Sequence, residues 1–413
     1  MMKSKHLGTF SILGLVLCGM TSTPALADDV QAVSWADKLK ISGHLDGGVT
    51  FNPRLDAGQQ NMGALFQDKA NQLLLNQAMA TVQLPVDNQA ANYDVGFTLT
   101  GMYGSDARYT HSYAMLDHLV HDRNQLDIVQ ATVDIHAPIM PELLASGVDV
   151  KVGIFPSPMG AEVIDSTSNY LYSHSYIFNF GLPYKNTGAL ATWHITPVLD
   201  LYTGLDTGVN SFVTKNGYNN GWAKGQFGFG LNFLDGALTV IGFTHVGAEN
   251  PASLGSSVSS GQRFLNDITT TWKVDEDLTL TTDINYIHDE GLGAIGYGAA
   301  QYAVYTLNDH VSLVGRAEVW RDNAGAFVAS FPGQFDFVNA ERGLPATTAS
   351  GGHTTYGALT VGMNYKPNAP KSLEGLMIRP EFRVDDALNG TKPFRNGKDD
   401  MSFTPAIDIV IPF

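Results

Sequence analysis

The chain has 413 residues, only 15% of them charged, with 40 acidic against 24 basic side chains and a formal net charge of −16. Such acidity excludes a nucleic-acid partner, whose phosphates would need neutralising. Charge is sparse against about 25% in ordinary soluble domains, yet Gly reaches 43, Phe 21 and Tyr 16, a mixture suited to a sheet that turns every second residue to lipid.

Taken from the start, Lys3 and Lys5 precede an apolar stretch from Leu7 to Met20, followed by Ala25-Leu26-Ala27. A charged n-region, a short h-region and an A-x-A site predict a secretory signal peptide over 1–27, removed after Ala27. The single cysteine, Cys18, falls inside it, behind Leu17 where a lipoprotein signal would carry a small residue. The mature chain therefore has no disulfide, thiolate metal site or cysteine nucleophile. Residues 28–38 read as a short acidic periplasmic leader, and 39–413 as the barrel described next. No later run of 18 apolar residues exists, which excludes a helical inner-membrane protein.

Residues 39–52 set Ile41, Leu45, Val49 and Phe51 against Lys40, Ser42, His44, Asp46 and Thr50. This period of two is that of a strand with one apolar and one wet face. Sixteen such segments follow one another: 39–52, 71–84, 92–103, 124–137, 148–155, 187–195, 198–208, 225–234, 237–247, 264–274, 277–288, 297–307, 311–322, 355–366, 375–386 and 401–413. In the fifteenth, Arg379, Glu381, Arg383 and Asp385 share one face, and four charges cannot meet lipid. Tight turns at Thr196-Pro197, Asp235-Gly236, Asp275-Glu276 and Asn308-Asp309-His310 alternate with long loops near 53–70, 104–123, 156–186, 209–224, 248–263, 323–354 and 387–400. Short turns at one rim and long loops at the other predict an all-β, transmembrane, antiparallel up-and-down β-barrel of about 16 strands in a bacterial outer membrane. The even count puts both ends of the chain on the short-turn, periplasmic side. Phe51, Tyr103 and Tyr286 at one end of the stripes, and Tyr365 and Phe413 at the other, match two aromatic girdles. A soluble β-sandwich would need two sheets with apolar inner faces along the whole chain.

The loop after the fifth strand runs Gly153-Ile-Phe-Pro-Ser-Pro-Met-Gly160-Ala-Glu162-Val-Ile-Asp165, then reaches Asn169, Tyr172-Ser173-His174-Ser175, Pro183 and Thr187-Gly188. This segment resembles the OmpL-like β-barrel porin-2 family of Gram-negative outer membranes. The matching residues are Gly160, Ala161, Glu162, Val163, Asn169, Tyr172, Ser173, His174, Ser175, Pro183, Thr187 and Gly188. His174 stands where an Arg is common. The resemblance implies a water-filled channel for passive diffusion of small hydrophilic solutes and ions. It also implies that assembly machinery reads the terminal strand ending on Phe413.

Read from its residues, the loop is longer than a rim connection needs, and such loops are functional or disordered. Tyr170, Tyr172, Tyr176, Phe178 and Phe180 argue for packing, and the lumen of a barrel this size has room for it. An extra hairpin above the membrane, or two further strands making eighteen, are the alternatives. An inward loop predicts a constriction with Glu162 and Asp165 on one side and Arg316, Arg379, Arg383 and Lys40 on the other. Opposed charges would set a field across the pore; paired, solvated charges with no selective role are the alternative.

Of the 12 histidines, His118 and His121 are three apart beside Asp117 and Asp122, in a long loop where solvated surface is expected. No H-E-x-x-H, nucleophile elbow, P-loop or dinucleotide motif occurs, so no catalytic residue, metal or cofactor is expected. A barrel-borne lipid or peptide hydrolase and a closed structural or adhesin barrel are the competing functions. Trimer contacts reuse the lipid-facing alphabet, which leaves a homotrimer open.

Overall fold

The computed structural model describes residues 35–213 and 223–413; the expected signal peptide with Cys18, and the expected leader up to residue 34, lie outside them. A 3₁₀ turn at Trp35–Lys38 leads into the first strand. Nine strands make up the first half: β1 (Lys40–Thr50), β2 (Leu73–Leu84), β3 (Asp94–Gly104), β4 (Gln125–Ala137), β5 (Val148–Pro156), β6 (Lys185–His194), β7 (Leu199–Asp206), β8 (Lys224–Phe233) and β9 (Leu238–Gly247). The second half holds β10 (Arg263–Lys273), β11 (Leu278–Asp289), β12 (Ala294–Asn308), β13 (Val311–Asp322), β14 (Ala329–Ser330), β15 (Ala349–Ser350), β16 (Thr355–Tyr365), β17 (Met377–Ala387) and β18 (Met401–Pro412). Among the described residues, all but β14 and β15 join neighbour to neighbour, antiparallel, into one closed barrel of 16 strands.

Parity assigns the faces as the alternation predicted. On β17, Arg379, Glu381, Arg383 and Asp385 are at most 6% exposed, while Phe382 is 55% and Val384 37% exposed. Directly paired residues share a face, so the register carries this assignment round the ring, through Arg379↔Asp408 and Arg383↔Thr404 on one side and Arg316↔Thr360 on the other.

The tight turns are held by side-chain oxygens. Thr196 Oγ1 accepts from the Val198 and Leu199 amides, Asp275 Oδ1 from Asp277 and Leu278, and Asn308 Oδ1 from His310 and Val311. The turn before β9 uses left-handed backbone at Leu234 and Asp235. Closure is made by β1 on β18, where the Phe413 amide donates to Gly43 O at 2.8 Å and the Gly43 amide to Phe413 O at 2.9 Å. A Cβ on Gly43 would sit 2.6 Å from the Phe413 ring, so the terminal aromatic lies over a position only glycine can fill.

The apolar core is inside the ring. Met79, Phe243, Tyr302 and Tyr356 face inward by register and join the loop residues Phe66, Tyr176 and Phe178 in one buried cluster. Two loops carry more structure than the sequence indicated. Within the long loop 323–354, β14 pairs with β15, a helix spans Asp336–Glu341, and Phe331 and Phe337 are buried edge to face. Asp322 accepts three successive amides at Ala326, Phe327 and Val328, which turns the chain inward. The 117–121 stretch is likewise more than solvated surface. Asp117 is buried and accepts from Arg342, and His118 stacks on Phe335 at 4.6 Å.

Candidate pore constriction

Residues 157–184 connect β5 to β6, and their local shape follows from a few side chains. Gly160 takes φ +89°, and a Cβ there would lie 2.4 Å from Leu182 Cδ2. Asn169 bonds Val163 in both directions, accepting from its amide at 2.9 Å and donating to its carbonyl at 2.7 Å. Asp165 accepts from the Thr167 amide and caps the 3₁₀ turn Ser166–Ser168. A π-type turn at Ile177–Gly181 completes the segment, with Tyr184 donating to Asn179 O at 2.9 Å.

This segment is tied to inward-facing residues of nine strands. The Gly160 and Ala161 amides donate to Asp267 on β10 and Asp283 on β11. Glu162 Oε1 accepts from Arg316 Nη1 and Tyr302 Oη, both at 2.8 Å, while Oε2 lies 2.8 Å from His174 Nδ1. Gln77 on β2 donates to Ile164 O at 2.6 Å, and His44 on β1 contacts Ser166 Oγ at 3.3 Å. The Tyr172 and Ser173 amides donate to Glu381 on β17. Tyr176 donates its amide to Glu318 on β13 at 2.7 Å and stacks on Tyr356 of β16 at 4.6 Å. Asp408 on β18 completes the set through Arg379.

The three arginines hold the loop by its backbone. Arg316 donates to Ser173 O at 2.6 Å, Arg383 to His174 O at 3.1 Å, and Arg379 to Ser166 O and Asn169 O at 2.8 and 2.7 Å. Each also pairs with a wall carboxylate: Arg316 and Arg383 with Glu318, Arg383 with Asp385, and Arg379 with Asp408. Buried charges are tolerated in this way when every donor finds an acceptor. Of the six residues expected around the opening, the structure therefore joins Glu162, Arg316 and Arg383 directly or through Glu318, and brings Arg379 to the turn that Asp165 caps. Lys40, exposed at the short-turn end of β1, is not among them. Glu162 and Arg316 do not oppose one another across water; they touch, because the register sets Arg316 at the height where the loop passes.

Asp165 in the inner segment is 45% exposed at the side chain; further partly exposed charges lie elsewhere and were not singled out in the sequence. On β4 to β7, Asp134 pairs with Lys151 at 2.6 Å, and a ladder runs His136–Asp149–His194–Asp200 with contacts of 2.7, 3.1 and 2.8 Å. Lys151 is 37% and Asp200 35% exposed at the side chain, against 0% for Arg316. Among the described residues, none of these side chains bonds the inner segment, and His136, 1% exposed, contacts Ala90 O instead. The signal was available: each lies on the wet parity of its strand, as His44 does.

A family profile for the OmpL-like beta-barrel porin-2 family matches residues 38–413. No curated protein matches the sequence. Among solved structures, Salmonella typhi OmpF in complex with daunomycin is similar with a TM-score of 0.58 and 10% identity, over 91% of this chain and 97% of that one. The anion-selective porin from Comamonas acidovorans reaches 0.55 at 9% identity, over 91% and 99%. The outer membrane channel DcaP of Acinetobacter baumannii reaches 0.53 at 10% identity, over 91% and 97%. Identities this low bear on the fold alone, whereas the family match spans the whole barrel. The chain belongs to the OmpL-like beta-barrel porin-2 family of outer-membrane porins.

Proposed function

We propose that this porin passes small hydrophilic solutes and ions by passive diffusion along a half-lumen, with residues 157–184 as its constriction and the β4–β7 wall as its wet face. The observation that carries this reading is the asymmetry of the interior. The inner segment is bonded to β1, β2, β10–β13 and β16–β18, while β4–β7 keep partly exposed charges. Fixed charges beside a narrow aqueous path select ions by sign and shape. The work is done by geometry, without covalent chemistry.

The short-turn rim, with β1 and β18, faces the periplasm after export through the general secretory route, and Phe413 is the feature read at assembly. A Vibrio cholerae outer-membrane protein of similar fold was solved in a trimer form, and we carry that association to this chain as a homotrimer. Planar-bilayer recording tests the main reading. Stepwise conductance is expected, rising when residues 160–182 are deleted from a barrel that still shows heat-modifiable gel migration. A silent barrel that releases fatty acid from phospholipid would replace it with a hydrolase. Native mass measurement in detergent tests the trimer.

A further inference from the structure

At the long-loop end of the lumen, between the inner segment and residues 325–350, lies a cavity of about 290 Å³. At roughly 30 Å³ per water it would hold about ten. It sits at the small end of ligand sites, which run from roughly 300 to 1,000 Å³. Phe180, Phe327, Phe331 and Phe337 supply apolar lining.

Its polar groups are unbalanced. Glu249 and Asn179, each at most 5% exposed, line the cavity, and Glu249 Oε1 and Asn179 Oδ1 have no hydrogen-bond partner among the described residues. The other Glu249 oxygen accepts from the Val209 amide at 3.1 Å. Among the described residues, the basic nitrogen within 4 Å of Oε1 is His245 Nδ1 at 3.9 Å, beyond hydrogen-bond reach, while Lys224 and Arg263 act on Glu249 by charge alone. Glu341 also lines the cavity, and its carboxylate makes no hydrogen bond or ion pair among the described residues. The one arginine present, Arg263, is already committed, donating to Asp289 at 2.7 Å and to Asn250 at 3.2 Å. Burial raises both the Glu249 and Glu341 carboxyls above their ordinary values and outweighs the opposing charges of His245, Lys224 and Arg263 at Glu249 and of Arg263 at Glu341.

One buried and one half-buried acid, both short of donors among the described residues, beside aromatic faces in a space that fits one ring and a short tail, define a ligand. We propose that this cavity is a binding site for small organic cations that carry a flat apolar body, an arylalkyl ammonium being the simplest. The ammonium would donate to Glu249 and Glu341, and the ring would lie among the phenylalanines, whose faces also attract the charge. Set at the mouth, the site would hold such cations ahead of the constriction and favour their entry over anions. The inference rests on the porin reading for its purpose, not for its chemistry.

The test is calorimetric titration of the full detergent-solubilised chain with phenethylammonium, against phenylacetate and ethylammonium. Saturable one-site binding of phenethylammonium is expected, at least about tenfold tighter than either comparison compound, since a tenfold change needs only one good charged contact. Glu341→Gln, which breaks no bond among the described residues, should weaken it about tenfold with gel migration unchanged. Equal binding of phenylacetate, or unchanged affinity in both Glu341→Gln and Glu249→Gln, overturns the site. Single-channel recording separates the two claims. A chain that conducts but does not bind the probe loses the site and remains a porin; one that binds without conducting keeps the site and loses the channel.

Discussion

Arg316 Nη1 lies 2.8 Å from Glu162 Oε1, joining a strand of the wall to a loop residue 154 positions earlier in the chain. Arg316 is sealed from solvent and also bonded to Ser173 and Glu318. Removing one member of a buried pair leaves the other uncompensated, at a cost of about 3–5 kcal/mol. Arg316→Met should therefore lower the urea midpoint of unfolding. The loosened segment should also add flicker to single-channel traces. An unchanged midpoint with quiet traces would mean that the loop is held by its other contacts.

Selectivity should reside on β4–β7, away from the arginine cluster. Lys151 is partly exposed and its partner Asp134 remains when it is removed, whereas Arg379 is buried against Asp408. Lys151→Ala should shift the reversal potential in a salt gradient toward cation preference. Arg379→Gln should move it less while costing more stability. The opposite order would return selectivity to the inner segment.

The barrel was legible in the sequence because a period of two needs no knowledge of the partner strand. The site was legible only in part. Parity announced that Arg379 and Arg383 face inward, but not the height at which each would meet the loop. That height follows from register, through pairs such as Arg379↔Asp408, and register depends on turns and bulges distributed along the chain. Lys40 shares the wet parity of His44, yet it ends at the rim while His44 reaches Ser166. The aromatics of 170–180 signalled packing. What they could not signal was that the wall arginines would bind backbone carbonyls, which every residue supplies.

Asp68 gives the loops an acid-sensitive pin. Burial alone would raise its carboxyl, but the guanidinium groups of Arg108 and Arg123 and their hydrogen bonds outweigh this and hold it below the usual range. A depressed folded-state value means that stability is present above the unfolded value of about 3.9 and is lost as pH falls through the folded value. Hydrogen exchange in 61–70 and 105–112 should quicken as pH is lowered below about 4. Asp68→Asn should be less stable at neutral pH and should lack that acid step. An equal acid response in the variant would assign the step to another carboxyl.

Gly160 separates two reasons for a glycine. Its φ of +89° is costly for any side chain, and a Cβ would also meet Leu182 Cδ2 at 2.4 Å. The first cost is about 1–2 kcal/mol and belongs to the backbone; the second depends on a movable side-chain end. Gly160→Ala should therefore destabilise the protein, and Leu182→Ala in the same chain should restore only the steric part. The double-mutant cycle measures that part as a coupling between the two sites. A cycle with no coupling would mean that Leu182 moves aside freely. Full rescue would mean that the loop relaxes out of the left-handed region, and the Gly160 amide would then be expected to lose its bond to Asp267.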